Sequence, residues 1–161
     1  MMDWNDVFEY RDGLLYWKIK TNRNMKIWRM AGSMAGNGYM QVHCFGKVRL
    51  MHRIIWEMHN GEIPEGMEID HINHIRDDNR IENLRLVSRK QNAKNLPMRS
   101  DNTSNVVGVS WDNKSKKWYA KIAVNGKQIA LGRFSNLSMA AECRKAAEEK
   151  YCFHKNHGAL K

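Results

Sequence analysis

The sequence predicts an α+β chain. Small antiparallel strands lead into a strand–loop–strand–helix segment, and a three-stranded antiparallel sheet packed on one helix follows. Three observations carry this. Apolar and polar residues alternate over Tyr39–Phe45 and again over Trp118–Val124, the period of half-buried strands. Met51, Ile54, Ile55 and Met58 recur at helical spacing, with Gly61 as the stop. Asn125-Gly126 joins two alternating runs, a strong hairpin signal.

In chain order, Leu14–Ile19 reads as a strand, Gly36-Asn37-Gly38 as a turn and Tyr39–Phe45 as a strand. Gly46-Lys47 then turns the chain into Val48–Leu50. A helix over Met51–Asn60 ends at Gly61, and Pro64-Glu65-Gly66 turns again. Met67–His71 and Leu84–Val87 are short strands separated by a polar loop, Asn73–Glu82. Ser88 with Gln91 forms a capping box for a helix that Pro97 ends. The polar, turn-forming stretch 97–105 reads as a linker between domains 1–96 and 106–161. Beyond it lie strands Val106–Trp111, Trp118–Val124 and Gln128–Phe134. A helix from Leu137 to about Tyr151 follows, capped by Ser135 or Asn136.

Lys and Arg number 27 against 17 Asp and Glu, a formal charge of +10. Such a surplus points to an anionic partner, nucleic acid above all. The longest unbroken apolar run is four residues, Leu14–Trp17, so no membrane helix and no membrane partner are expected. Met-Met-Asp-Trp-Asn at the start lacks the pattern of a secretory signal. The three cysteines, Cys44, Cys143 and Cys152, form no C-x-x-C pair. A disulfide scaffold and a zinc ribbon are not expected, and a reducing cytoplasm fits.

Asp70-His71 stands at the end of a strand, with Asn83 twelve residues after His71 and Asn92 nine further on. One turn into the next helix, Asn92 can point back toward that strand. A carboxylate oxygen and an amide oxygen together suit Mg²⁺, which keeps positions for water and phosphate. Strand alternation sends His71 and Asp70 to opposite faces, so a loop or kink must bring both to one substrate.

The runs Ile69-Asp70-His71-Ile72-Asn73, Asp78-Asn79-Arg80-Ile81-Glu82-Asn83-Leu84-Arg85 and Gln91-Asn92-Ala93-Lys94-Asn95 resemble the H-N-H endonuclease motif in its H-N-N variant. Phage and intron-encoded homing endonucleases carry it. The resemblance extends upstream through Tyr39 and His52-Arg53-Ile54-Ile55-Trp56. It implies a ββα-metal unit in which His71 is the general base and Asp70 with Asn92 holds one divalent cation, Mg²⁺ or Mn²⁺. Asn83 would bond across the loop and orient His71. The products implied are a 5′-phosphate and a 3′-hydroxyl. The chemistry agrees: a neutral imidazole accepts a proton from water near pH 7, and a divalent cation stabilises the phosphate and the departing oxygen. Arg76, Arg80, Arg85, Arg89, Lys90 and Lys94 would line a phosphate cleft, though Arg80 and Arg85 have Asp77, Asp78 and Glu82 as alternative partners.

Gly108-Val109-Ser110-Trp111, Lys116–Ile122 and Leu131-Gly132-Arg133-Phe134, followed by an Ala-rich helix, resemble the APETALA-two/ERF type of DNA-binding domain. That resemblance implies a sheet lying in the DNA major groove. Alternation puts Trp118, Ala120, Ile122 and Val124 on the helix side with Val109, Ile129 and Leu131. Ser110, Tyr119, Lys121, Ala123, Gln128 and Ala130 take the other, DNA-facing side. Lys114, Lys116, Lys117 and Lys127 stand near turns, in reach of phosphate.

The expectation is a metal-dependent endonuclease acting on double-stranded DNA at a preferred site, of homing type, in the host cytoplasm if phage-encoded. No protein partner is expected. The alternative is a DNA-binding regulator with a decayed nuclease unit, and RNA cleavage ranks last.

Overall fold

The computed structural model of the 161-residue chain describes residues 3–21, 23, 26–95, 98–155 and 157–159. Pro97, the expected end of the third helix, lies outside them. The chain divides into two compact units, Met1–Arg89 and Lys90–Lys161.

The first unit opens with a single helical turn, α1 (Trp4–Val7), whose N-cap Asp3 accepts a hydrogen bond from the Asn5 N–H. Strands β1 (Phe8–Arg11) and β2 (Leu14–Trp17) pair antiparallel around Asp12-Gly13. Then β3 (Ser33–Met34), β4 (Met40–Cys44) and β5 (Lys47–Leu50) form a small antiparallel sheet in the order of the chain. Helix α2 (Met51–Asn60) covers this framework, and Gly61 ends it at φ 81°. Its buried face is Met51, His52, Ile54 and Ile55, and Met51, Ile54 and Ile55 share one apolar core with Phe8, Leu15, Trp17, Val42, Ile69 and Leu84. Full burial of such side chains contributes about 1.5–3 kcal/mol each.

Strands β6 (Met67–His71) and β7 (Leu84–Ser88) form a separate antiparallel pair, in register from Met67 opposite Ser88 to His71 opposite Leu84. A loop and a 3₁₀ turn, Ile81–Asn83, connect them. The β1–β2 hairpin braces this connection. Tyr10 Oη accepts a hydrogen bond from the Ile81 N–H at 3.1 Å. Gly13, at φ 83°, sits so near the Asn79–Arg80 backbone that an added Cβ would lie 2.9 Å from the Arg80 nitrogen. Helix α3 (Arg89–Asn92) follows β7 but makes only one turn, shorter than its capping box predicts. Arg89, Lys90 and Gln91 are all exposed, so no apolar face packs to extend it.

In the second unit, β8 (Val109–Asp112), β9 (Lys117–Val124) and β10 (Lys127–Phe134) form an antiparallel sheet in the order β10-β9-β8. Helix α4 (Leu137–Lys150) packs on it, started by Asn136, whose side chain accepts from the Ser138 N–H. Val109, Ala120 and Ala140 make the buried centre, with Trp118, Leu131, Phe134 and Leu137 around it. Residues 98–105, read from composition as linker, are folded against this unit: Ser104 is buried and its Oγ–H is 2.7 Å from the Val109 carbonyl. Among the described residues no helix is long and apolar enough to cross a membrane.

Candidate active site

Register puts Asp70 opposite Arg85 and His71 opposite Leu84 at the loop end of the β6–β7 pair. The loop that follows is locked by one side chain. Asn83 Nδ2 donates to Asn73 Oδ1 at 3.0 Å and to the Asp78 carbonyl at 2.7 Å. Its Oδ1 accepts from the Asn73 N–H at 3.1 Å, so both donors and the acceptor of this amide are used. Asn73 Nδ2 in turn donates to Asp78 Oδ2 at 2.7 Å. Arg80 forks onto Asp78 at 2.8 and 2.7 Å, and that bond holds the Asp78 carboxyl down to about 2.

The side chain that reaches His71 is Asn79, not Asn83. Asn79 is 1% exposed, and its Oδ1 lies 3.0 Å from His71 Nε2. A carbonyl-type oxygen there requires Nε2 to carry the proton, which places the basic lone pair on Nδ1. Asn79 Nδ2 is buried and has no hydrogen-bond partner among the described residues. Asn83 thus bonds across the loop as expected, while the contact expected of it toward His71 belongs to Asn79. No spacing signal separates the two asparagines; both are buried, and the hydrogen bonds of the folded loop separate them.

His71 is 4% exposed and packs edge-on against His52, ring centres 4.9 Å apart at 87°. Tyr39 closes the group, 5.4 Å from His52 and 5.8 Å from His71. Burial pushes the His52 imidazole down to about 3. Burial also lowers His71 from its ordinary 6.5, opposed by the bond to Asn79 and by Asp70, Asp78 and Asp77. Both rings are therefore neutral at pH 7.

Asp70 Oδ2 accepts from Arg85 Nε at 3.0 Å and from a terminal nitrogen at 2.7 Å. Arg85, expected on phosphate, is instead the cross-strand partner of the candidate metal ligand. Arg80, expected likewise, pairs with Asp78. Arg80 thus takes one of the alternative carboxylates expected for it, whereas Arg85 takes Asp70, which is not among them. Arg76 is exposed, lies 5.0 Å over the Tyr39 ring and donates to the Asn37 carbonyl at 2.7 Å, which leaves it beside the histidine cluster. Arg89 pairs loosely with Glu68 at 3.4 Å.

Asn92 is the last residue of α3 and, with Lys90 and Lys94, belongs to the second unit. Lys90 is exposed, whereas Lys94 donates to the Tyr151 carbonyl at 2.7 Å and lies over Phe153. Among the described residues no three of His, Cys, Asp or Glu gather as a metal site. Asp70 offers carboxylate oxygens and Asn92 an amide oxygen, each a donor type that suits a hard cation.

On the second unit's sheet, Ser110, Tyr119, Lys121, Ala123, Gln128 and Ala130 fall on the side away from the buried centre, as alternation predicts, and Lys114, Lys116, Lys117 and Lys127 are exposed at the turns.

Residues 49–94 match the HNH endonuclease family. Protein 3.8 of Escherichia phage T7 is 37% identical over 84 residues, 52% of this chain and 69% of that protein. No solved structure matches the chain. The match of residues 49–94 spans His52, His71, Asn79, Asn83 and Asn92, so the clustered histidines and the locked loop fall inside it. The chain belongs to the family of phage T7 protein 3.8 and carries an HNH endonuclease domain at residues 49–94.

Proposed function

We propose that this chain is a divalent-metal-dependent endonuclease that hydrolyses phosphodiester bonds in double-stranded DNA, with His71 as its general base. The observation that carries the reading is the state of that imidazole. Burial keeps it neutral, and Asn79 holds the proton on Nε2, so Nδ1 takes the proton from the attacking water. Asn83 keeps the loop in the shape that brings Asn79 to His71. Asp70 and Asn92 would hold the cation, Mg²⁺ or Mn²⁺, one per site. When bound, it supplies charge stabilisation at the scissile phosphate and the leaving 3′ oxygen. Arg85 fixes the orientation of the Asp70 carboxylate. Arg76 is the arginine of this site best placed for phosphate, being exposed and steadied on Tyr39.

The second unit is the DNA anchor in this reading. Ser110, Tyr119, Lys121 and Gln128 form its contact face, and Lys116 and Lys117 take phosphate. The net charge of +10 and the resemblance to APETALA-two/ERF domains support it. One nuclease centre per chain makes a single-strand nick the expected product. A homing role and action in a host cytoplasm accord with the phage relative.

The test is conversion of supercoiled plasmid with Mg²⁺, with EDTA, and by His71→Ala protein. Metal-dependent nicking that His71→Ala abolishes while DNA affinity persists is the expected result. Unchanged cleavage by His71→Ala overturns the role of His71. No conversion with any divalent metal, with binding intact, replaces the nuclease by a DNA-binding regulator.

A further inference from the structure

The outer face of the second unit's sheet carries a residue that strict alternation assigns to the wrong side. Counting from Gln128 and Ala130, Arg133 should face the helix. The β9–β10 ladder instead shifts register between Ala130 and Gly132: Ala130 is opposite Lys121, but Gly132 is opposite Ala120. Leu131 is the extra residue of a bulge. Gly132 sits at φ 146°, and an added Cβ would lie 3.1 Å from the Phe134 ring, so the bulge depends on glycine. Beyond it the parity is reversed. Arg133 stands opposite Tyr119, and Tyr119 opposite Ser110, one row across the outer face.

This guanidinium is held on two sides. Its Nε donates to Asp112 Oδ2 at 3.0 Å, and its carbon lies 4.9 Å from the centre of the Tyr119 ring. Asp112 is itself fixed by its own turn. Its Oδ1 accepts from the Lys114 N–H at 3.0 Å and its Oδ2 from the Ser115 Oγ–H at 2.8 Å. The Arg133 side chain is 54% exposed, and the two terminal nitrogens make no hydrogen bond among the described residues. Ala130, opposite Lys121 on the near side of the bulge, is small and exposed.

We propose that Arg133 is a sequence-reading residue of this protein, donating its two terminal nitrogens to guanine O6 and N7 in the DNA major groove, with Asp112 and Tyr119 as positioning residues. The inference rests on the reading of this sheet as the DNA-binding face. A lysine would serve a phosphate equally well. A planar fork, bonded on Nε and stacked on a ring, has its orientation set before binding and matches the paired acceptors of guanine.

The experiment uses the full chain in EDTA, where no strand is cut, with a pool of duplexes carrying a randomised ten-base-pair core. The expected result is enrichment of a G·C pair at one position by the wild type. Arg133→Lys should keep the salt dependence of binding and lose that preference by roughly tenfold or more. Asp112→Asn, which removes the charged acceptor of Nε, should weaken the same preference and no other. Circular dichroism melts check that each variant folds, and if Arg133→Lys does not, Asp112→Asn decides alone. A preference intact in Arg133→Lys, or in Asp112→Asn where that variant decides, overturns the proposal. So does Arg133→Ala weakening every duplex alike, which would make Arg133 a phosphate contact on a sheet that still binds DNA. If Arg133→Ala and the double variant Lys117→Ala/Lys121→Ala all bind as the wild type does, the sheet is not the DNA face and both readings fall.

Discussion

At the scale of single residues, the site depends on groups that burial has made neutral or rigid. Asn79 holds the tautomer and angle of His71 through one 3.0 Å contact. Asn79→Ala should lower the cleavage rate by about tenfold or more, since loss of alignment at a reacting group is costly, while substrate affinity changes little. Single-turnover and binding measurements separate the two, and an unchanged rate would remove Asn79 from the site. His52 is a different case. It is neutral in the fold down to about pH 3, but in the unfolded chain it takes a proton below 6.5. The unfolded state then binds more protons, so the stability His52 contributes is present above pH 6.5 and is lost as pH falls toward 3. His71, lowered in the same direction, adds to this slope. The melting temperature should fall between pH 7 and pH 4.5, less steeply in His52→Leu. Equal slopes in the two proteins would contradict a neutral buried His52.

At the scale of elements, the β6–β7 connection is stabilised by polar contacts rather than by apolar packing. Asn83 bonds three groups of its loop, and Asn83→Ala takes that partner from the Asn73 N–H and the Asp78 carbonyl, while Asn73 Oδ1 keeps the Ile75 N–H. We expect a loss of about 1–3 kcal/mol, read as a lowered denaturant midpoint. Several elements could be read from the chain alone. Helix α2 runs over Met51–Asn60 as its apolar spacing predicts, and β6 covers Met67–His71. Both are marked by period and by a flanking glycine, which are local signals. The β1 strand carries a local signal too: Phe8 and Tyr10 alternate with Glu9 and Arg11 ahead of Asp12-Gly13, a hairpin pair. The bulge in β10 was not legible. One inserted residue reverses the faces beyond it, and sequence alternation cannot show where the ladder shifts.

At the scale of the whole molecule, the first unit is held by an apolar core of Phe8, Leu15, Val42, Met51, Ile54 and Ile55, to which the candidate metal ligands Asp70 and Asn92 do not belong. EDTA should therefore stop cleavage and leave the melting temperature unchanged. A fall of several degrees would mean that the cation is part of the fold.

The division between what the chain spells out and what folding adds follows the range of the forces involved. Charge, the α+β order of elements and the Asp-His…Asn…Asn spacing are local or summed properties, so they stand in the sequence as written. That Asn79 rather than Asn83 meets His71, that Arg85 takes Asp70, and that Arg133 turns outward are pairings between residues brought together across a loop or a ladder. Several nearby residues offer the same chemistry, and only the folded loop's geometry and strand register choose among them.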